Sequence, residues 1–101
     1  MEHRHPGDLP RPTAVPTRKK GPIWRELEGL VVLLQPDGTE LLRLNRTASF
    51  LWVHLDGSRS VEELAELLAT EFGVDREVAF RDTAGFLLDS EQAGLIEWQR
   101  A

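Results

Sequence analysis

Three histidines are the side chains best suited to metal binding or proton transfer, and their placement supports neither. His3 and His5 stand two residues apart and could touch one cation, but a zinc site needs three or four protein ligands and no others accompany them. His54 lies beside Val53 and Leu55 with no serine–acid pair to orient it, so a surface or interfacial histidine is expected. Glu62, Glu63, Glu66 and Glu71 recur at helical spacing. There they make a solvated face, whereas acid–base catalysis needs carboxylates converging in a pocket. Gly29, Gly38 and Gly57 are isolated, and neither glycine-rich phosphate-binding pattern occurs. With no cysteine in the chain, thiolate nucleophiles, disulfides and iron–sulfur ligation are excluded. The triplet Asn45-Arg46-Thr47 matches a glycosylation acceptor, which has meaning only in a secreted protein. No catalytic residue, cofactor or metal site is therefore expected, and the chain is not expected to be an enzyme.

The chain has 101 residues, enough for one domain with a modest core. Its N-terminus lacks an apolar signal region and no apolar run reaches a membrane span, so a soluble cytoplasmic protein is expected. Formal net charge is −5. Residues 1–20 hold five basic side chains against Glu2 and Asp8, which leaves seven basic and fifteen acidic, or −8, for the remainder. Nucleic-acid affinity rests on cation–phosphate contacts, so a domain this acidic is a poor candidate for it.

Residues 1–21 contain four prolines and few large apolar side chains, the composition of a disordered, basic tail ahead of a domain over 22–101. Ile23-Trp24-Arg25-Glu26-Leu27 and Leu30-Val31-Val32-Leu33-Leu34 read as strands. The second is apolar on both faces, which predicts a central strand covered on both sides. Pro36-Asp37-Gly38 supplies a turn into a third strand, Thr39 to Leu44. The period then changes, with Ala48, Leu51, Trp52 and Leu55 on one helical face, Asn45 or Thr47 as cap and Asp56-Gly57 as stop.

Ser60 and Glu63 form a capping box for a second helix striped by Val61, Leu64, Ala65, Leu68 and Phe72, which Gly73 ends. Asp75 opens a third helix, with an apolar face of Ala79, Phe80, Thr83, Ala84, Phe86, Leu87 and Leu88, which Gly94 closes. Leu95-Ile96-Glu97-Trp98 reads as a short last strand. The class is α+β and winged-helix-like, a three-stranded antiparallel sheet followed by three helices and a possible C-terminal strand.

A winged-helix order raises the alternative of a DNA-binding regulator. The third helix, however, carries Arg76 and Arg81 against Asp75, Glu77, Asp82, Asp89 and Glu91, a net of −3. The sheet's outer strand, Thr39 to Leu44, has an edge that an extended peptide could extend, using the trough beside the third helix for side-chain selection. An edge left bare, or closed by a dimer mate within an enzyme complex, remains the other reading.

The run Leu44-Asn45-Arg46-Thr47-Ala48, then Leu51-Trp52, Leu55-Asp56-Gly57, Ser60-Val61-Glu62-Glu63-Leu64, Phe72 and Gly94-Leu95-Ile96, resembles the PqqD family over about residues 24–97. This is the pyrroloquinoline quinone synthesis protein D type. The resemblance implies a RiPP recognition element, a domain that binds the leader of a ribosomally made precursor peptide and presents it to a modifying enzyme. It implies a leader lying along the third strand against the third helix. Carried over, the strand side is Glu40, Leu41, Leu42, Arg43 and Leu44, and the helix side Arg76, Phe80, Arg81, Ala84, Leu87, Leu88 and Glu91. The implied partners are the precursor peptide and either a radical SAM enzyme of quinone synthesis or the leader peptidase and cyclase of lasso peptides. No nucleic acid and no membrane are implied. The Pro-rich N-terminal segment is not part of the family pattern, and Leu42 stands where the quinone branch has a tyrosine.

Overall fold

The computed structural model describes residues 9–35, 38 and 40–99. Strands β1 (Pro16–Arg18), β2 (Ile23–Leu27), β3 (Leu30–Leu34) and β4 (Leu41–Arg43) precede helices α1 (Arg46–Val53), α2 (Val61–Phe72) and α3 (Arg76–Gln92), and β5 (Ile96–Trp98) ends the order. β2, β3 and β4 form an antiparallel sheet in that order, and β1 pairs with β5 in a second sheet of two strands. The register Trp24↔Leu33↔Leu42 puts these three side chains on the sheet face turned to the core.

The helices start where local chemistry supplies caps. The Asn45 side chain accepts from the Ala48 N–H at 2.9 Å. Ser60 and Glu63 complete a reciprocal capping box at α2, satisfying two N–H groups that the helix itself cannot. Gly73, at φ 64°, adopts the left-handed conformation that ends α2. Asp75 caps α3 by position but makes no side-chain bond there, and α1 ends at Val53 with His54 as its cap, ahead of the expected Asp56-Gly57 stop.

One core lies between the inner sheet face and the helices. Val31 and Leu33 meet Leu51, Trp52, Leu64, Leu68 and Leu87 there, all essentially inaccessible to water. Trp24 meets Trp52 edge to face, with ring centroids 6.0 Å apart.

Four expectations are corrected. β3 is central, but only its inner face is covered: Val31 and Leu33 are buried while Leu30 is exposed. Among the described residues no helix packs on the outer face; the buried residues of all three helices cluster with Val31 and Leu33 on the inner one. The third strand is shorter than Thr39 to Leu44, since pairing spans Leu41–Arg43; Thr39, like Pro36 and Asp37 of the expected turn, lies outside the described residues.

The segment read as a tail is tied to the domain where it is described. Pro16 is buried, β1 pairs with β5, Val61 N–H donates to the Ala14 carbonyl, and Glu62 N–H donates to that of Pro12. Arg18 donates to the Trp52 carbonyl and lies 5.1 Å from the Trp24 ring centroid. Composition undervalued this segment because it is held mainly by backbone hydrogen bonds and one cation–π contact, for which large apolar side chains are not required. Finally, the last strand contracts to Ile96–Trp98 and pairs with that N-terminal segment, not with the main sheet.

Candidate functional site: a sheet edge beside a helix

β4 is one of the two edge strands of its sheet, β2 being the other. Leu44 N–H donates to the Val31 carbonyl and Gln35 N–H to the Glu40 carbonyl, so residues 40, 42 and 44 direct their backbone groups at β3. Backbone polarity alternates sides along an antiparallel strand, which turns the N–H and C=O of Leu41 and Arg43 away from β3. Side chains alternate on the perpendicular axis: Leu42 and Leu44 pack on the core, while Leu41 and Arg43 are exposed; Glu40, just ahead of the strand, is exposed as well. What the strand offers a guest at its edge is therefore main-chain hydrogen bonding, centred on Leu41 and Arg43.

One polar side chain fixes that strand. Ser49, buried on α1, accepts from the Val31 N–H at 2.8 Å and donates to the Leu44 carbonyl at 3.2 Å. It ties α1 to both β3 and the end of β4.

Where Leu44 passes into Asn45 a cleft opens between the first turns of α1 and the middle of α3, about 450 Å³ in volume. Asn45, Thr47, Ala48 and Leu51 line one wall, and Arg81, Asp82, Gly85, Phe86 and Asp89 the other. The Gly85 position faces open space, since a Cβ placed there meets no atom within 4 Å. Ala48 and Phe86, both half-buried, supply apolar surface over the buried Leu51, and Arg81, Asp82 and Asp89 place both signs of charge at its rim.

Of the helical residues expected at the site, Arg81 lines this cleft. Ala84 and Leu87 are completely buried in the core and present nothing to a guest. Arg76 pairs with Glu66 of α2 at 2.6 Å, and Phe80 lines a separate depression between α2 and α3. Leu88 and Glu91 are half-buried outside the cleft lining. The amphipathic stripe of α3 is flanked on both sides, and of the expected residues Arg76 and Phe80 lie on the flank that α2 occupies while Arg81 lies on the other. Gly85 was the missed signal, a glycine in mid-helix where neither cap nor turn requires one.

His54 does not line the cleft. His54 Nδ1 lies 2.7 Å from the Phe50 carbonyl at the end of α1, its ring packed on Phe50, and His3 and His5 lie outside the described residues. Among the described residues no three metal-ligating side chains converge, and no helix is long and apolar enough to cross a membrane.

The family model for coenzyme PQQ synthesis protein D (PqqD) matches residues 31–96, from β3 through β5. The chain belongs to the PqqD family. No curated protein matches it. Among solved structures, this PqqD-family chain is similar to TbiB1 in complex with the TbiA(beta) leader peptide. The TM-score is 0.73 at 24% identity, covering 84% of this chain and 99% of that one. It is also similar to a lasso peptide synthetase B1 complexed with the leader peptide, with TM-score 0.70, 24% identity and coverages of 81% and 96%. A third likeness is to the PqqD truncation of Methylobacterium extorquens PqqCD, described as a functional, stand-alone RiPP recognition element, with TM-score 0.67, 25% identity and coverages of 82% and 88%. The three-stranded sheet, helical trio and short C-terminal strand are thus the fold of PqqD-like recognition elements.

Proposed function

We propose that this PqqD-family chain binds the leader segment of a ribosomally synthesised precursor peptide and presents it to a modifying enzyme, without turnover of its own. The observation that carries the reading is the edge position of β4, with the Leu41 and Arg43 backbone groups turned outward and the chain running on from the strand to Asn45 in the wall of the α3 cleft. A leader added as a fourth strand gains affinity from main-chain hydrogen bonds, and side chains beyond the strand select through the cleft. The likeness to leader-complexed structures supports this choice of guest. The cleft adds a chemical preference: an apolar anchor against Ala48 and Phe86, an acidic group toward Arg81, and a basic one toward Asp82 or Asp89.

The reaction itself belongs to the enzyme served, either a radical SAM protein of quinone-cofactor synthesis or the peptidase and cyclase of a lasso pathway. The work is expected to take place in the cytoplasm, where ribosomal precursors are made.

Titrating the precursor peptide encoded beside this chain into labelled protein is expected to shift amides of residues 40–44 and 81–89. Shifts confined to the α2–α3 depression around Arg76 and Phe80 would place the guest elsewhere. Arg81→Glu and Leu42→Asp are both expected to weaken binding. Leu42 also packs on the core, so circular dichroism must show that variant folded before its affinity is read.

A further inference from the structure

Among the described residues, nothing covers the exposed rows on the outer face of the β2–β3–β4 sheet. The register puts Ile23, Leu34 and Leu41 in one row across it, Arg25, Val32 and Arg43 in the next, and Leu27 with Leu30 in the last. Ile23 is 65% exposed, Leu27 59%, Leu30 42% and Leu41 66%. A contiguous apolar surface spanning three strands is unusual on a free-standing domain and marks a contact surface. Its charge is opposite to that of the chain. The two side chains that flank Val32 are arginines, no acidic residue occupies any of these rows, and the chain as a whole is −5.

We propose that this face is the docking surface for the modifying enzyme, and that the enzyme meets it with an apolar patch bearing carboxylates opposite Arg25 and Arg43. The inference rests on the leader-presenting function above. A second copy of the chain fits poorly. Two-fold stacking of identical faces sets Arg25 and Arg43, about 10 Å apart across two strand spacings, against arginines of the mate. Like charges opposed in a desolvated contact disfavour that pairing.

Position gives the surface its use. A leader strand added to the edge of β4 continues the pleat, so every second leader side chain falls on this same outer face. An enzyme seated there touches recognition domain and leader together, which converts leader binding into delivery. The enzyme is therefore expected to bind the leader-loaded chain more tightly than the free one.

The test uses the full chain, its precursor peptide and the purified modifying enzyme encoded beside it, with each affinity measured separately by titration calorimetry. Arg25→Glu and the pair Ile23→Ser with Leu27→Ser change exposed side chains away from the β4 edge and the α3 cleft. Each is expected to lower affinity for the enzyme about tenfold or more, as loss of a central contact does, and to leave leader affinity within about twofold. Arg25→Glu should also flatten the salt dependence of enzyme binding. Enzyme affinity unchanged in both variants, with leader binding intact, would overturn the docking surface and leave the leader-binding function standing. Sedimentation showing a wild-type dimer that the same variants dissociate would assign the face to self-association and also overturn it. Failure of the wild-type chain to bind any leader would instead strike the function beneath.

Discussion

Ser49 shows how much one small side chain contributes to the proposed site. Its hydroxyl satisfies a β3 N–H and a carbonyl at the end of β4 at once, inside a region otherwise lined by apolar groups. Ser49→Ala leaves the buried Val31 N–H without its partner, at a cost of about 1–3 kcal/mol. A lowered urea midpoint with an unchanged denaturant slope is the expected result, together with faster amide exchange at Val31. Asp56 behaves differently because it is exposed. The Ser58 hydroxyl and backbone N–H donate to its carboxylate and, with Arg59 nearby, hold its pKa below the ordinary 3.8. A depressed folded-state pKa adds stability that is fully present above 3.8 and is lost as pH falls through the lower folded value. Asp56→Asn is therefore expected to flatten the acid limb of a stability-versus-pH curve below that point and to leave its dependence at neutral pH unchanged.

At the scale of elements, α3 separates folding from recognition. Ala79, Thr83, Ala84 and Leu87 serve the core, while Arg81, Asp82, Gly85 and Phe86 line the cleft. Gly85 allows the two roles to be tested independently. Alanine there meets no atom and replaces a poor helix former with the best one, so Gly85→Ala is expected to stabilise the chain by up to about 1 kcal/mol. Gly85→Leu keeps most of that gain but projects a side chain into the cleft. Raised melting temperature with weakened leader binding is the expected pair of results, and undiminished leader affinity would exclude the cleft as the recognition wall. Helices were legible in the sequence because their signals are local: Ser60 with Glu63 marks the start of α2, Gly73 its end, and the stripe between them its buried face. The cleft flank of α3 was not legible, since both flanks of its stripe carry mixed polar and apolar residues. Packing of α2 against Arg76 and Phe80 chooses between them, and that contact joins residues ten or more apart in sequence.

On the scale of the whole molecule, the N-terminal segment closes the fold. β1 pairs with β5, Gln99 N–H donates to the Val15 carbonyl and Lys19 N–H to that of Leu95, so residues 15–19 and 95–99 meet. Removing residues 1–18 takes away the acceptors for Val61 and Glu62 at the start of α2, as well as the pairing of β5. A melting temperature lowered by about 5 °C or more is expected, the shift that 1 kcal/mol produces in a domain of this size. Unchanged thermal unfolding would show that the segment decorates the domain without supporting it. Net charge is the other whole-molecule property, and it sets the DNA-binding alternative aside: α3 is the helix a winged-helix protein would offer to DNA, and with its N-cap Asp75 it carries −3.

From β2 onward the element types and their order, and the family, followed from the sequence alone, because caps, turns and hydrophobic periods act over a few residues and each is written in neighbouring letters. The exposed outer face of the sheet, the pairing of residues 16–18 with 96–98 and the side of α3 that borders the cleft were decided only in three dimensions. Each depends on which distant segment arrives to cover a surface, and a linear pattern records that a face is apolar without recording what lies against it.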